Sequence, residues 1–267
     1  MTTDDYQQRF EGLQRLYGDA AYAHLKDLHF CVIGIGGVGS WVVEALARSG
    51  IGNITLVDFD DIAIGNINRQ LPAMTSTLGQ KKIKVMAERI QQINPACRVN
   101  LIDDFLTMEN YESILSQNYD YVIDAIDSIK FKSLMIYYCK RNKIPIITTG
   151  GAGGLTDPSM IKIADLSKTY NDPLAAKVRS QLRNEYSFTR NPKRSFGVEC
   201  VFSSQQPVYP KEDGSVSHQK PGVHGVSLDC RFGYGASSVV TASFGFMAAG
   251  QAINKTIKNT LHAMRIK

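Results

Sequence analysis

The 267 residues contain no CxxC pair, no run of 18 apolar residues and no internal repeat, and each absence removes a class of explanation. Five cysteines, Cys31, Cys97, Cys139, Cys200 and Cys230, are scattered along the chain. Unpaired in this way they offer neither a zinc knot nor a disulfide framework. The apolar stretch 239–250 is short and carries Thr241 and Ser243, which suits a buried helix better than a membrane span. The opening MTTDDYQQRF is acidic and polar, unlike the cationic start and apolar centre of a secretory signal. A cytoplasmic location without stable membrane insertion is the resulting expectation.

What is present reads as a folded chain rather than a disordered one, since 43% of residues are hydrophobic and only 21% charged. Thirty Lys and Arg against 25 Asp and Glu give a net charge of +5, which permits an anionic partner such as RNA without demonstrating one. Short apolar runs at 29–34, 54–58, 121–124 and 144–148 alternate with helical periodicity at 37–49, 79–93, 110–115 and 130–142, with a further short strand at 98–102. That order predicts an α/β, Rossmann-like fold with a mainly parallel central sheet flanked by helices. One domain is expected over 1–267, with an N-terminal helix at 5–25 and a nucleotide-binding core at 28–150. The extension 151–267 should hold a strand within 157–164, a helix within 169–186, an edge strand near 197–202, an irregular loop at 210–234 and a closing helix at 236–260.

The chemistry starts at Gly34-Ile35-Gly36-Gly37-Val38-Gly39-Ser40, between the first strand and its helix. Gly34 and Gly36 let the backbone turn sharply and approach phosphate oxygens, Gly39 lets the helix pack on the sheet, and the helix N-terminus offers free N–H groups to an anion. Alone, the motif is a weak signal, and its plain alternative is a tight glycine turn with no ligand. Asp58, at the end of the second strand, is placed to accept a ribose hydroxyl, which makes a nucleotide site and, by default, NAD. The next segment, Phe59-Asp60-Asp61-Ile62-Ala63-Ile64-Gly65-Asn66-Ile67-Asn68-Arg69-Gln70, favours ATP instead. A triphosphate accumulates charge as its α-phosphorus is attacked and calls for cations, which Arg69 and Lys82 could supply, with Asp127 as a magnesium ligand. Singly, each is as well explained as a surface residue; together they make a pattern.

The ordered segments GIGGVGS, LVDFDDIAIGNINRQ, GQKKI and DAIDS resemble the E1-like superfamily, the ubiquitin-activating and sulfur-carrier-adenylating enzymes. The resemblance implies ATP and Mg2+ as cofactors, adenylation of a carboxylate with release of pyrophosphate, and a homodimer. It assigns Gly34, Gly36, Gly37, Gly39, Asp58, Asp60, Asn68, Arg69 and Lys82 to the nucleotide, and Asp127 to the metal. Arg15, in preference to Arg9, is assigned to the partner subunit's triphosphate. Further segments, Arg15-Leu16-Tyr17-Gly18, Thr149-Gly150-Gly151-Ala152-Gly153-Gly154, Val201-Phe202-Ser203 and Phe232-Gly233-Tyr234-Gly235-Ala236-Ser237, are most similar to the branch that cyclises N6-threonylcarbamoyladenosine in tRNA. That branch implies tRNA as partner and a link to a sulfur-transfer or cysteine desulfurase protein.

A basic run, Lys177, Arg179, Arg183, Arg190, Lys193 and Arg194, suits RNA phosphates, with Tyr170, Tyr186 and Phe188 nearby to stack on a base. The plain alternative is a solvated face with core aromatics. Cys200 and Cys230 are candidates for a thioester, with Arg231 beside the latter, against a structural role. Cys31 should be buried in its strand. His218 and His224 lack a third metal ligand and read as loop residues. Two other functions stay open: activation of a ubiquitin-like or sulfur-carrier protein, and a non-enzymatic nucleotide-binding scaffold. An NAD oxidoreductase ranks last.

Overall fold

The computed structural model describes residues 3–211, 213–219 and 235–266. Two helices, α1 (Thr3–Tyr17) and α2 (Asp19–Leu25), lead into β1 (His29–Ile33). The single helix expected over 5–25 is broken because Gly18 adopts a φ of 81°, a conformation that ends a helix and that side chains resist. Then follow α3 (Gly39–Arg48), β2 (Asn53–Val57), α4 (Lys82–Ile93), β3 (Arg98–Ile102), α5 (Tyr111–Leu115), β4 (Tyr121–Asp124), α6 (Ile129–Arg141) and β5 (Ile146–Thr149). Helix α4 stops at Ile93 because the chain reaches Asn94-Pro95, and proline supplies no amide to continue it.

The extension contributes β6 (Ile161–Asp165), α7 (Pro173–Glu185), β7 (Glu199–Ser203), a hairpin of β8 (Tyr209–Pro210) and β9 (Val216–Ser217), and α8 (Ser238–Ile266). The sheet order is β3-β2-β1-β4-β5-β7-β6, parallel throughout except that β6 runs antiparallel to β7. The segment expected as an edge strand is therefore interior: β7 pairs with β5 on one side and β6 on the other, and β6 takes the edge. Its composition, Glu-Cys-Val-Phe-Ser, with the last four residues buried, suits that inner place. The expected irregular loop at 210–234 begins with the β8–β9 hairpin, and 220–234 lie outside the described residues.

Helices cover both faces. One core joins α2, α3, α4 and α8 to the sheet through Val42, Leu46, Ile83, Met86, Val240 and Phe244. The other joins α5, α6 and α7 through Leu115, Met135, Ile136, Val178 and Leu182. Each such side chain, fully buried, contributes roughly 1.5–3 kcal/mol. On α8 the buried Val240, Phe244, Ala248 and Ala252 recur every fourth residue and form one stripe. Gly245 lets that stripe approach α3, since a Cβ there would lie 2.7 Å from Trp41 Cβ and from the Val38 carbonyl oxygen. No helix among the described residues is long and apolar enough to cross a membrane.

Candidate functional site

The carboxyl ends of β1, β2 and β4 meet at the glycine turn. Gly34 has a φ of 88°, and a Cβ on it would lie 2.8 Å from Ile126 Cγ2 and 3.0 Å from the Ala125 carbonyl. A Cβ on Gly39 would overlap the Gly34 carbonyl oxygen. These two glycines close the turn on itself and on the loop after β4, so α3 starts with its N-terminus directed over the sheet, where backbone amides favour an anion.

Asp58 ties this turn to the next loop: its carboxylate accepts the Ile35 amide at 2.6 Å and the Asp60 amide at 2.9 Å. The Asp60 carboxylate in turn holds Lys82 Nζ at 2.6 Å. Lys82 is 4% exposed, so the expected phosphate-binding ammonium lies folded against the sheet on a carboxylate from the same loop. Arg69 is fixed by its backbone, whose carbonyl accepts Trp41 Nε1 at 3.0 Å and Thr241 Oγ1 at 3.4 Å. Its Nη1 donates to the Gly65 carbonyl at 2.7 Å and to Asn68 Oδ1 at 3.1 Å. Asn68 Nδ2 donates to the Ala236 carbonyl at 2.7 Å, which joins this loop to the start of α8.

Asp127 is exposed, one residue beyond the Ala125-Ile126 pair that packs on Gly34. The loop carrying it is braced from beneath. Asp124 and Lys132 are 0% and 1% exposed with Nζ and Oδ2 3.0 Å apart, and Lys132 Nζ also donates to the Ile126 carbonyl at 2.9 Å. Thr148 Oγ1 donates to the same Asp124 oxygen at 2.6 Å. A buried charge tolerates its environment only when so satisfied. Sequence reasoning missed Lys132, although a lysine set between Phe131 and Leu134 on α6 is a visible oddity.

Next to this lies a second buried carboxylate. Asp172 caps α7, accepting the Ala175 amide at 2.9 Å, and accepts the Gly151 amide at 3.1 Å. Burial pushes its carboxyl up, while the amide bonds from Ala175 and Gly151 pull the other way. A Cβ on Gly150 would overlap the Asp172 carboxylate, which gives the first glycine of that loop a physical reason. A narrow cavity of about 60 Å³ lies between this loop, Asp172, Leu174 and Pro207.

The structure brings together Gly34, Gly36, Gly37, Gly39, Asp58, Asp60, Asn68, Arg69, Lys82 and Asp127. It does not bring Arg15 to them: that side chain is 71% exposed and pairs with Glu11 at 3.1 Å. The basic run is split. Arg179 is half-buried, donates to Thr169 Oγ1 and has its guanidinium pKa lowered by burial, with Arg183 adding to the effect. Arg183 is half-buried with its guanidinium 5.4 Å from the Phe196 ring. Lys177, Arg190, Lys193 and Arg194 are exposed. Tyr186 and Phe188 are half-buried, and Tyr170, 46% exposed, packs on Phe202.

Cys200 is fully buried and its thiol pKa is raised by that burial, the opposite of what a thioester nucleophile needs. Cys31 is also fully buried, its thiol pushed up to about 12 by burial. Cys230 and His224 lie outside the described residues. His218 Nδ1 lies 3.2 Å from the Pro207 carbonyl. No group of three metal-ligating side chains occurs among the described residues. Magnesium does not require one, because it is held by one or two carboxylates together with phosphate oxygens and water, and the exposed Asp127 fits that donor set.

Against known proteins, residues 7–265 match the model of the ThiF family. A tRNA threonylcarbamoyladenosine dehydratase from Haemophilus influenzae is 56% identical over 255 residues, covering 96% of this chain and 95% of that protein. Its counterpart in Escherichia coli K12 is 52% identical, covering 95% of each. The crystal structure of the E. coli tRNA N6-threonylcarbamoyladenosine dehydratase in complex with ATP superimposes with a TM-score of 0.88 at 48% identity, covering 98% of this chain and 99% of that one.

Proposed function

The chain belongs to the ThiF family, and from that premise we propose that it is an ATP-dependent dehydratase that adenylates and cyclises N6-threonylcarbamoyladenosine in tRNA. The observation that carries this reading is the gathering of the glycine turn, Asp58, Arg69, Lys82 and Asp127 at one end of the sheet, in a chain similar from end to end to dehydratases of that name. ATP lies with its ribose at Asp58 and its phosphates over the glycine turn. Ribose hydroxyls compete there for a carboxylate already aimed by two backbone amides, so little reorganisation is needed.

The substrate carboxylate attacks the α-phosphorus; an O–P bond forms and the bond to pyrophosphate breaks. Arg69 and Lys82 are the cations placed to offset the charge that builds on the phosphates. Lys82 exchanges Asp60 for a phosphate oxygen in doing so. Asp127 would hold Mg2+, which when bound neutralises phosphate charge. Adenylation turns a poor leaving group, hydroxide, into AMP. A nucleophilic atom of the same carbamoyl-threonine unit then attacks the acyl carbon and loses its proton as AMP departs, so the sum is loss of one water. Positioning does most of this second step, because an intramolecular attack avoids the entropy cost of bringing two reactants together.

The enzyme acts as a homodimer in this reading. Arg15 and the adjoining Leu16, 71% and 70% exposed, are surface features of α1 that a second subunit would cover, placing Arg15 on the neighbour's triphosphate. A cysteine desulfurase or other sulfur-transfer partner, where one docks, uses the surface, since the four described cysteines are buried. The deciding experiment is mass analysis of nucleosides from tRNA incubated with the protein and ATP. Loss of one water from threonylcarbamoyladenosine is expected. Unchanged nucleoside together with adenylation of a Gly-Gly-terminated small protein would assign the chain to carrier-protein activation.

A further inference from the structure

The parallel strands place the nucleotide at their carboxyl ends, yet several of the exposed cations gather at the opposite end. Helices α6 and α7 both start near the nucleotide end, the first just after Asp124 and the second at Asp172 against Gly151. Each has 13 residues and therefore runs about 20 Å back along the sheet. Their C-terminal ends meet the segment that leads into β7, where Lys140 Nζ donates to the Gly197 carbonyl at 3.1 Å. Between them lies an open groove of about 490 Å³.

Three exposed cations, Lys140, Arg141 and Arg194, line this groove beside Tyr137, Tyr186 and Phe188, and among the described residues no carboxylate does. The rings of Tyr137 and Tyr186 stand 4.7 Å apart with an interplanar angle of 32°, and the Arg141 guanidinium is 6.0 Å from the Tyr137 ring. The groove is built rather than incidental. Its floor residue Phe196 is buried and packs edge-on against Phe188 at 5.0 Å. Asp165 accepts the amides of Phe196, Gly197 and Val198 at 3.0, 2.7 and 3.2 Å, and the Phe188 amide donates to the Leu182 carbonyl at 3.1 Å.

We infer that this groove is a second anchorage for the RNA substrate, holding tRNA backbone and an unpaired base about one helix length, some 20 Å, from the reacting nucleotide. The inference rests on the dehydratase reading above. Its chemistry favours nucleic acid over an acidic protein, because flat aromatic faces set among guanidinium and ammonium groups match stacked bases joined by phosphates. A site at that distance meets a part of the tRNA other than the modified loop, so it should matter for the whole molecule and not for an excised anticodon stem-loop.

The test compares wild type with Arg141→Gln/Arg194→Gln, two surface changes, and separately with Tyr186→Leu, on full-length tRNA and on the isolated modified stem-loop. Expected for the double variant on full-length tRNA is a rise in KM of roughly tenfold with kcat unchanged, and a salt slope of log(kcat/KM) shallower by about one to two. KM for the stem-loop should stay at the wild-type value, and Tyr186→Leu should raise KM for tRNA without altering the slope. Unchanged tRNA KM and slope in both variants would overturn the anchorage, and so would an equal loss on tRNA and stem-loop. A wild-type protein that dehydrates neither RNA would defeat the parent reading, a failure visible before any variant is made.

Discussion

The two ends of the sheet both carry cations, and they treat them differently. At the carboxyl end Lys82 and Arg69 are each pinned to acceptors within 2.7 Å and half or fully buried. At the amino end Arg141 and Arg194 stand in solvent, and Lys140, also exposed, reaches the Gly197 carbonyl at the longer distance of 3.1 Å. Buried, directed charges act on a fixed point, which is what a developing transition-state charge requires, whereas exposed ones supply a screened field that attracts a polyanion without fixing an atom. One end is thereby fitted to chemistry and the other to holding.

If that contrast is right, the largest effects come from breaking what lies under the nucleotide end. Lys132→Met removes one member of the buried Asp124–Lys132 pair and leaves a carboxylate without its counter-charge, a loss expected to cost about 3–5 kcal/mol in denaturant unfolding. Because Lys132 also holds the Ile126 carbonyl, the Mg2+ concentration for half-maximal turnover should rise even where the variant is folded. Wild-type stability would mean that the pair contributes nothing. Next in size, Arg69→Ala and Asp127→Ala should each lower kcat at least about a hundredfold, or roughly 3 kcal/mol, with native circular dichroism. Most activity surviving in either would remove it from the phosphate chemistry. Asp58→Ala is expected to act chiefly on ATP affinity, weakening it roughly tenfold as one charge-assisted hydrogen bond is lost, and isothermal titration measures that directly.

The nucleotide end was far more legible in the sequence than the extension, for physical reasons. Gly34, Gly39 and Asp58 are local signals: a turn that excludes Cβ atoms and a carboxylate at a strand end can be read within 25 residues of one another. The alternation of apolar runs likewise announces β1, β2, β3 and β4 within a residue or so. Beyond Gly150 the determinants are long-range. Whether β7 is an edge or an inner strand depends on β6 folding back antiparallel, which no periodicity encodes. Arg179 and Arg183 read as surface charges until Thr169 and Phe196 are seen beside them. Asp172 caps α7, a local role, but its bond to Gly151, 21 residues earlier, is invisible in sequence. Trp41 and Thr241 carry no signal for a role at Arg69, since they act through its backbone carbonyl.

The smallest expected effect sharpens the comparison most, because it loosens the amino end without touching a cation. Asp165 gathers the Phe196, Gly197 and Val198 amides and the Ser167 amide and hydroxyl, and so sets the floor of the cationic groove. Burial alone would raise its carboxyl pKa, but the bonds from Ser167, Phe196 and Gly197 outweigh burial and hold it below the usual carboxylate range. A carboxylate depressed in the folded state contributes stability above its unfolded pKa of about 4 and loses it as pH falls through the folded value. Asp165→Asn should therefore cost about 1 kcal/mol at pH 7, a figure kept low for a group still partly in water. The gap between variant and wild type should narrow below about pH 4 as the wild-type carboxyl takes up its proton. The KM for tRNA should rise modestly while ATP affinity stays unchanged, since the groove and the glycine turn occupy opposite ends of the strands. A gap in stability that is constant from pH 7 to pH 3 would show that the charge on Asp165 is not what holds the floor. A loss of ATP affinity in the same variant would show that the two ends are mechanically coupled, and the division between chemistry and holding would fail.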